Sequence, residues 1–249
     1  MFSGIITVVL LSSVVSLSLL PFFHWFRGTP HQLAAIKQLE ESLPQELLEE
    51  DAAWVDAWKA SGIDQQVYIP YFSQLDNGSG QGYRECFSSA AAMVAAHFSR
   101  VKTDDEYNKI RDKFGDSTSV EAQIKTLESL GLNAEFRTDG DEEMIEMEIE
   151  MGRVVLAGYF HRGDLLRGEP PMCSGNGCGH WLVVTGYTGK HSSDPGWVVN
   201  DPKGKPDLAR GGHLSATGGE RAEIRQSEFR PRWQVEGPGT GWVILVDDL

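Results

Sequence analysis

The stretch CFSSAAAMVAAHFSR, residues 86–100, carries the reading of the fold. Phe87, Ala90, Ala91, Val94 and Phe98 recur at helical spacing and form one stripe, and the small residues between them allow a neighbouring element to approach closely. Helices are expected again at 104–114, 119–130 and 141–151. The period then changes, and 154–160, 181–187, 196–200 and 242–247 read as strands. A helical part followed by an antiparallel sheet predicts an α+β domain with segregated layers instead of a wound βαβ sheet. The Gly-rich segments 210–219 and 237–241 read as loops.

Upstream of this domain the texture differs. Residues 4–23 carry no charge and are rich in Val, Leu and Ile; as a helix they would span about 30 Å, which is membrane length. No Lys or Arg precedes them, and no small-x-small cleavage pattern precedes His24, so an uncleaved signal anchor is expected over a cleaved signal. Residues 32–58 have helical periodicity interrupted at Pro44, which reads as a helical stalk or pro-segment. The expected organisation is therefore an N-terminal hydrophobic helix in 1–28, a stalk in 29–66 and one domain in 67–249. It places the domain outside the cytoplasm, membrane-anchored through residues 4–23 or secreted.

With 249 residues, 41% hydrophobic and 23% charged, the chain is long enough for a large core, and its composition excludes pervasive disorder, collagen and a multi-span membrane protein. The formal charge of −14 argues against nucleic acid as a partner, because phosphate repels such a surface. The acidity is concentrated: residues 31–60 hold seven acids and two bases, and residues 139–150 hold seven acids and no base. Both runs read as solvated helix faces. The second could alternatively cover a binding groove.

Three cysteines leave one unpaired after any bridge. Cys173 and Cys178 flank Ser-Gly-Asn-Gly, a spacing that closes a small disulfide loop or offers two thiolates to zinc. Cys86 follows the flexible Gly80-Gln81-Gly82-Tyr83-Arg84-Glu85 and opens the apolar helix, where the positive end of the helix dipole favours thiolate. A thiolate nucleophile needs a histidine as acid and base and a third group to orient it. His180 stands at the entrance to the strand 181–187, and the strand 196–200 ends in Asn200-Asp201-Pro202. If these strands are antiparallel neighbours, His180 faces Asn200 or Asp201. Gln74 or Gln81, upstream of the thiol, would donate to a developing oxyanion.

These segments, together with Val67-Tyr68-Ile69-Pro70-Tyr71-Phe72-Ser73-Gln74 and Thr103-Asp104-Asp105-Glu106, resemble the peptidase family related to bacteriocin-processing double-glycine peptidases. The resemblance covers roughly 67–249. It implies a papain-like fold and a cysteine peptidase or amidase with Cys86 as nucleophile, His180 as base, Asp201 as orienting acid and Gln74 as oxyanion donor. It implies no cofactor, and a peptide or protein substrate. The membrane-length N-terminus and the disulfide spacing point to peptidoglycan stem peptides or envelope proteins. Phe87 stands where many members of that family carry Gly-Pro.

Two other readings compete. Zinc bound by Cys173, Cys178 and His180 would consume the proposed base. A papain-fold domain that binds a peptide or partner without cleaving it would keep the groove but not the chemistry. No His-Glu-x-x-His, Gly-x-Ser-x-Gly or Walker loop occurs in the sequence.

Overall fold

The structure is a computed structural model that describes residues 63–171 and 178–248. The expected membrane-length segment 4–23, the stalk 32–58 and Cys173 lie outside the described residues. Among those described, no helix is long and apolar enough to cross a membrane.

The elements, in chain order, are β1 (Ile63–Gln66), α1 (Cys86–His97), α2 (Asp104–Arg111), α3 (Val120–Ser129), β2 (Leu132–Gly140), α4 (Glu142–Glu150), β3 (Val155–Phe160), β4 (Gly179–Thr188), β5 (Gly196–Asn200), β6 (Lys205–Pro206), β7 (His213–Ser215), β8 (Ala222–Arg225), α5 (Gln226–Trp233) and β9 (Gly241–Asp248). Seven strands form one antiparallel sheet in the order β2-β9-β3-β4-β5-β8, with β1 on the C-terminal end of β4, beyond the first residue of β3; β6 and β7 make a separate ribbon. The domain is α+β with an antiparallel sheet.

Helix α1 is buried from Phe87 to Ala95 without interruption, so it is a central helix and not the one-sided stripe expected. Its two serines are satisfied inside: Ser88 Oγ accepts from Gln123 Nε2 at 3.0 Å, and Ser89 Oγ donates to Asp104 Oδ2 at 2.9 Å. The next three helices begin at side-chain caps. Thr103 accepts from Glu106 N, Ser119 from Ala122 N and Asp141 from Met144 N. Glu106 reaches back to the N–H of Lys102, the residue before the Thr103 cap, at 2.8 Å.

The segregated layers expected from the sequence are not what forms. Strand β2 lies between α3 and α4 in the chain and pairs along the sheet edge with β9. Helices also cover both faces. Leu156, Trp181, Val183 and Ile244 face α1 in one core, whereas Val155, Leu182, Val184 and Val243 join Ile145 and Ile149 of α4 and Phe229 and Trp233 of α5 in the other. The continuous apolar runs of β3, β4 and β9 require this, because both faces of each strand are apolar and each must be covered. The acidic run resolves in the same way: Ile145 and Ile149 of α4 are buried, and Lys190 pairs with Glu146 and Glu150 on its outer face.

One contact between layers sets the geometry of the site. The Phe87 ring stacks on the Trp181 indole at 4.0 Å with 4° between planes, joining the first turn of α1 to the start of β4. Gly158 makes room for it, since a methyl there would lie 2.8 Å from the indole.

Candidate active site

The residues flanking that stack are the candidates for chemistry. Cys86 is the first residue of α1 and a half-buried free thiol. Burial pushes the thiol up, but the charge of His180, a hydrogen bond from it and one from the Trp181 backbone outweigh burial and hold it below the ordinary thiol range.

His180, the second residue of β4, is 2% exposed. Its Nε2 donates to Asp201 Oδ1 at 2.8 Å. Because an ionised carboxylate only accepts, Nε2 carries the hydrogen, and the ring meets Cys86 through its other nitrogen, Nδ1. Burial pushes this imidazole down. The Asp201 carboxylate and the Cys86 sulfur reverse that and raise it to about 10. Asp201 is fully buried, which pushes its carboxyl up, but the charge and hydrogen bond of His180, with help from His213, pull it well below the usual carboxylate range.

The sheet explains the encounter. Strands β4 and β5 pair antiparallel with Val183 opposite Asn200, so the chain leaves β5 beside the start of β4. Of the two candidates at that corner, Asp201 meets the imidazole; Asn200 instead accepts from the Arg221 N–H at 2.9 Å. Asp201 is held by its surroundings: Lys203 N donates to its Oδ1 at 2.9 Å, its N–H donates to Gly219 O at 2.8 Å, and Tyr71 Oη donates to its carbonyl at 3.0 Å. Gly219 must be glycine, since a methyl there would meet the Asp201 carbonyl at 2.1 Å.

Gln74 is buried and Gln81 is exposed. The Gln74 N–H donates to Pro202 O at 2.9 Å, and its Nε2 donates to Gly82 O, four residues before the thiol. This side chain thus bridges the loop before α1 and the turn after Asp201. Beside His180 a cleft of about 100 Å³ opens between Tyr159, Trp181, Trp233 and Trp242.

Sequence reasoning missed three members of the cluster. Tyr159 lies opposite His180 across the β3–β4 ladder and donates to Asp201 Oδ2 at 3.3 Å. His213 donates from Nε2 to the same oxygen at 3.1 Å. His161 packs edge-on against both other imidazoles, and burial, then the charge of His180, pushes it down to about 3. The strand alternation could have flagged Tyr159. His213 stands among glycines in a segment read as loop, where no period points to a partner. The ring His161 is fixed indirectly by the missed helix α5, whose buried Arg232 donates to Phe160, Arg162 and Gly163 carbonyls.

His180, Asp201 and His213 offer donor atoms within 4.8 Å of one another that could hold a metal ion. Here those atoms are engaged with each other as hydrogen bonds. The competing zinc set of Cys173, Cys178 and His180 does not fit, because Cys178 is disulfide-bonded and presents no thiolate.

No family model and no curated protein matches the chain. Similar solved structures include double-glycine peptidase domains. The peptidase domain of Streptococcus ComA, a bifunctional ABC transporter involved in quorum sensing, is 14% identical over 67% of this chain and 93% of that one, with a TM-score of 0.42. A C39-like peptidase from Bacillus anthracis is 14% identical over 74% and 98%, with a TM-score of 0.47. A double glycine motif protease from an AMS/PCAT transporter, in complex with its leader peptide, is 15% identical over 75% and 96%, with a TM-score of 0.40.

Proposed function

We propose that this domain is a papain-like cysteine peptidase acting on a peptide or protein amide bond. The observation that carries the reading is a free thiol at a helix N-terminus sharing a hydrogen bond with an imidazole whose other nitrogen is 2.8 Å from a fully buried carboxylate. Cys86 and His180 form a thiolate–imidazolium pair, and Asp201 orients the ring. The thiolate attacks the scissile carbonyl, the Cys86 N–H and Gln74 Nε2 receive the oxyanion, and His180 protonates the leaving amine. Water, deprotonated by His180, then hydrolyses the thioester and frees the enzyme.

The pair fixes the sign of the pH dependence. A thiol held below its ordinary range and an imidazole raised to about 10 leave the charged pair populated between the depressed thiol value and about pH 10. Activity rises as pH passes the depressed thiol value and falls as the imidazolium loses its proton. Iodoacetamide at about pH 6, where an ordinary thiol is inert, is expected to label Cys86 stoichiometrically in wild type and not in folded His180→Ala. Cys86→Ala is expected to abolish hydrolysis of peptide and protein substrates, with peptidoglycan stem peptides tested in the same panel. Retained turnover in Cys86→Ala refutes the assignment; labelling without turnover on any amide substrate leaves a thiol-bearing peptide-binding domain instead.

A further inference from the structure

Asp201 accepts four hydrogen bonds, two on each oxygen. Oδ1 takes His180 Nε2 at 2.8 Å and the Lys203 N–H at 2.9 Å; Oδ2 takes His213 Nε2 at 3.1 Å and Tyr159 Oη at 3.3 Å. An ionised carboxylate has about four lone-pair sites, so both oxygens are filled. The proposed mechanism uses only the first of these donors.

His213 comes from β7, the outer strand of the two-stranded ribbon, and its ring stands 4.9 Å from that of His180 at 73°. The carboxylate therefore sits between two imidazoles. His213 Nδ1 is buried without a partner. A lone pair left in that position costs less than a stranded N–H, which agrees with Nε2 as the hydrogen-bearing nitrogen.

The rotation of an aspartate carboxylate about χ2 is broad and soft, so donors on one oxygen alone do not fix its plane. On Oδ2 the Tyr159 contact is long for an O–H···O bond, whose usual span is about 2.5–3.0 Å. The shorter contact comes from His213. We infer that His213 is a positioning residue: by occupying Oδ2 it fixes the plane of Asp201 so that Oδ1 stays aimed at His180 Nε2, and through that ring it sustains the reactive thiolate.

This inference rests on the peptidase reading and extends it to a second histidine. The ionisable groups bearing on the carboxylate are His180, Tyr159 and His213 from the sheet and ribbon, Tyr71 from the loop before α1 and Cys86 from α1 itself, while Lys203 in the following turn reaches it through its backbone N–H. Of these only His213 and Tyr159 reach Oδ2 with a side-chain donor.

The test is the pH profile of Cys86 alkylation, which needs no substrate, read beside kcat and KM. His213→Ala removes the donor, His213→Phe removes it while keeping a ring in place, and His213→Gln keeps an N–H near the position of Nε2. The expected result in the donor-less variants is a midpoint about one pH unit higher, a tenfold loss of thiolate at a given acidic pH. In those variants kcat is expected to fall with little change in KM, and His213→Gln is expected to restore both. A donor-less variant that folds with the wild-type profile, even if it melts earlier, overturns the inference. So does a folded His213→Gln whose midpoint is itself raised by about one pH unit, a result that decides the matter even if the donor-less variants do not fold. A wild-type thiol that alkylates like an ordinary cysteine strikes at the peptidase reading itself, and so is told apart from both.

Discussion

Asp201 and Glu85 are both buried carboxylates, at 0% and 3% exposure, and both serve the neighbourhood of Cys86, but their partners differ in kind. Asp201 is gripped by two imidazoles, a tyrosine hydroxyl and a backbone N–H. Glu85, next to the thiol in sequence, accepts from Asn77 Nδ2 at 2.7 Å and Ser79 Oγ at 2.8 Å, with the Arg111 guanidinium 4.0 Å away. Asn77 also reaches Ser89, which donates to Asp104, so the Glu85 network ties the loop before α1 to α1 and α2. Proximity to a nucleophile does not assign a carboxylate its role. In the proposed mechanism the one hydrogen-bonded to the imidazole acts on the chemistry, and the one that clamps loop groups acts on the fold.

Asp201→Ala should break the first of these most severely. It strands His180 Nε2 and releases the ring, and kcat/KM is expected to fall by about 10³-fold or more, by analogy with the loss of an orienting acid in serine peptidases. Steady-state kinetics with a matched circular dichroism spectrum check it. The Cys86 alkylation midpoint should rise in the same variant, since the imidazolium loses the charge that raises it. Wild-type kinetics in a folded Asp201→Ala would remove the distinction between the two carboxylates.

Glu85→Gln probes the other network and should divide its effect differently. The amide keeps the shape but weakens two charge-assisted hydrogen bonds and sets an N–H against donors, for an expected loss of about 2 kcal/mol in unfolding free energy. Urea denaturation measures it. The alkylation profile should stay near wild type, because the groups that act on the sulfur are His180, Trp181 and Asp201, not Glu85. A thiol shift in Glu85→Gln as large as that in Asp201→Ala would mean that Glu85 belongs to the reacting centre.

The same contrast explains what could be read from the sequence. Helix α1 and strands β3, β4, β5 and β9 were legible because dense apolar runs with a single period leave little choice of element. Their antiparallel pairing then follows, and with it the meeting of His180 and Asp201 at one corner. Strand β2 was missed although Leu132, Ala134 and Phe136 alternate with Asn133, Glu135 and Arg137, because it is embedded among helical segments and lies at the sheet edge. Helix α5 was hidden by Pro231 inside it; the i,i+4 pair Phe229 and Trp233 secures it by packing in the core. His213 had no local signal at all. Its importance arises from a contact with a carboxylate that only the folded ribbon brings near.

The smallest expected effect sits two residues from the thiol in sequence and carries the contrast to a third carboxylate, at the surface. Arg84, two residues before Cys86, donates from Nη2 to both oxygens of Asp116 at 2.8 Å, with side chains 37% and 49% exposed. Solvent screens such a pair, and Asp116 is held low first by the Thr118 hydroxyl and N–H, with Arg84 contributing less. Arg84→Ala leaves those Thr118 bonds in place, and the backbone carbonyl of residue 84 still accepts from Ser117 Oγ. The expected cost is under about 1 kcal/mol, shrinking as salt is added, with kcat/KM unchanged within about twofold. Paired urea melts at low and high ionic strength decide it. A loss that persists at high salt, or a drop in kcat that rivals the change seen on removing Asp201, would show that Arg84 supports the thiol through the 3₁₀ turn Gly82–Arg84 and not through its exposed charge.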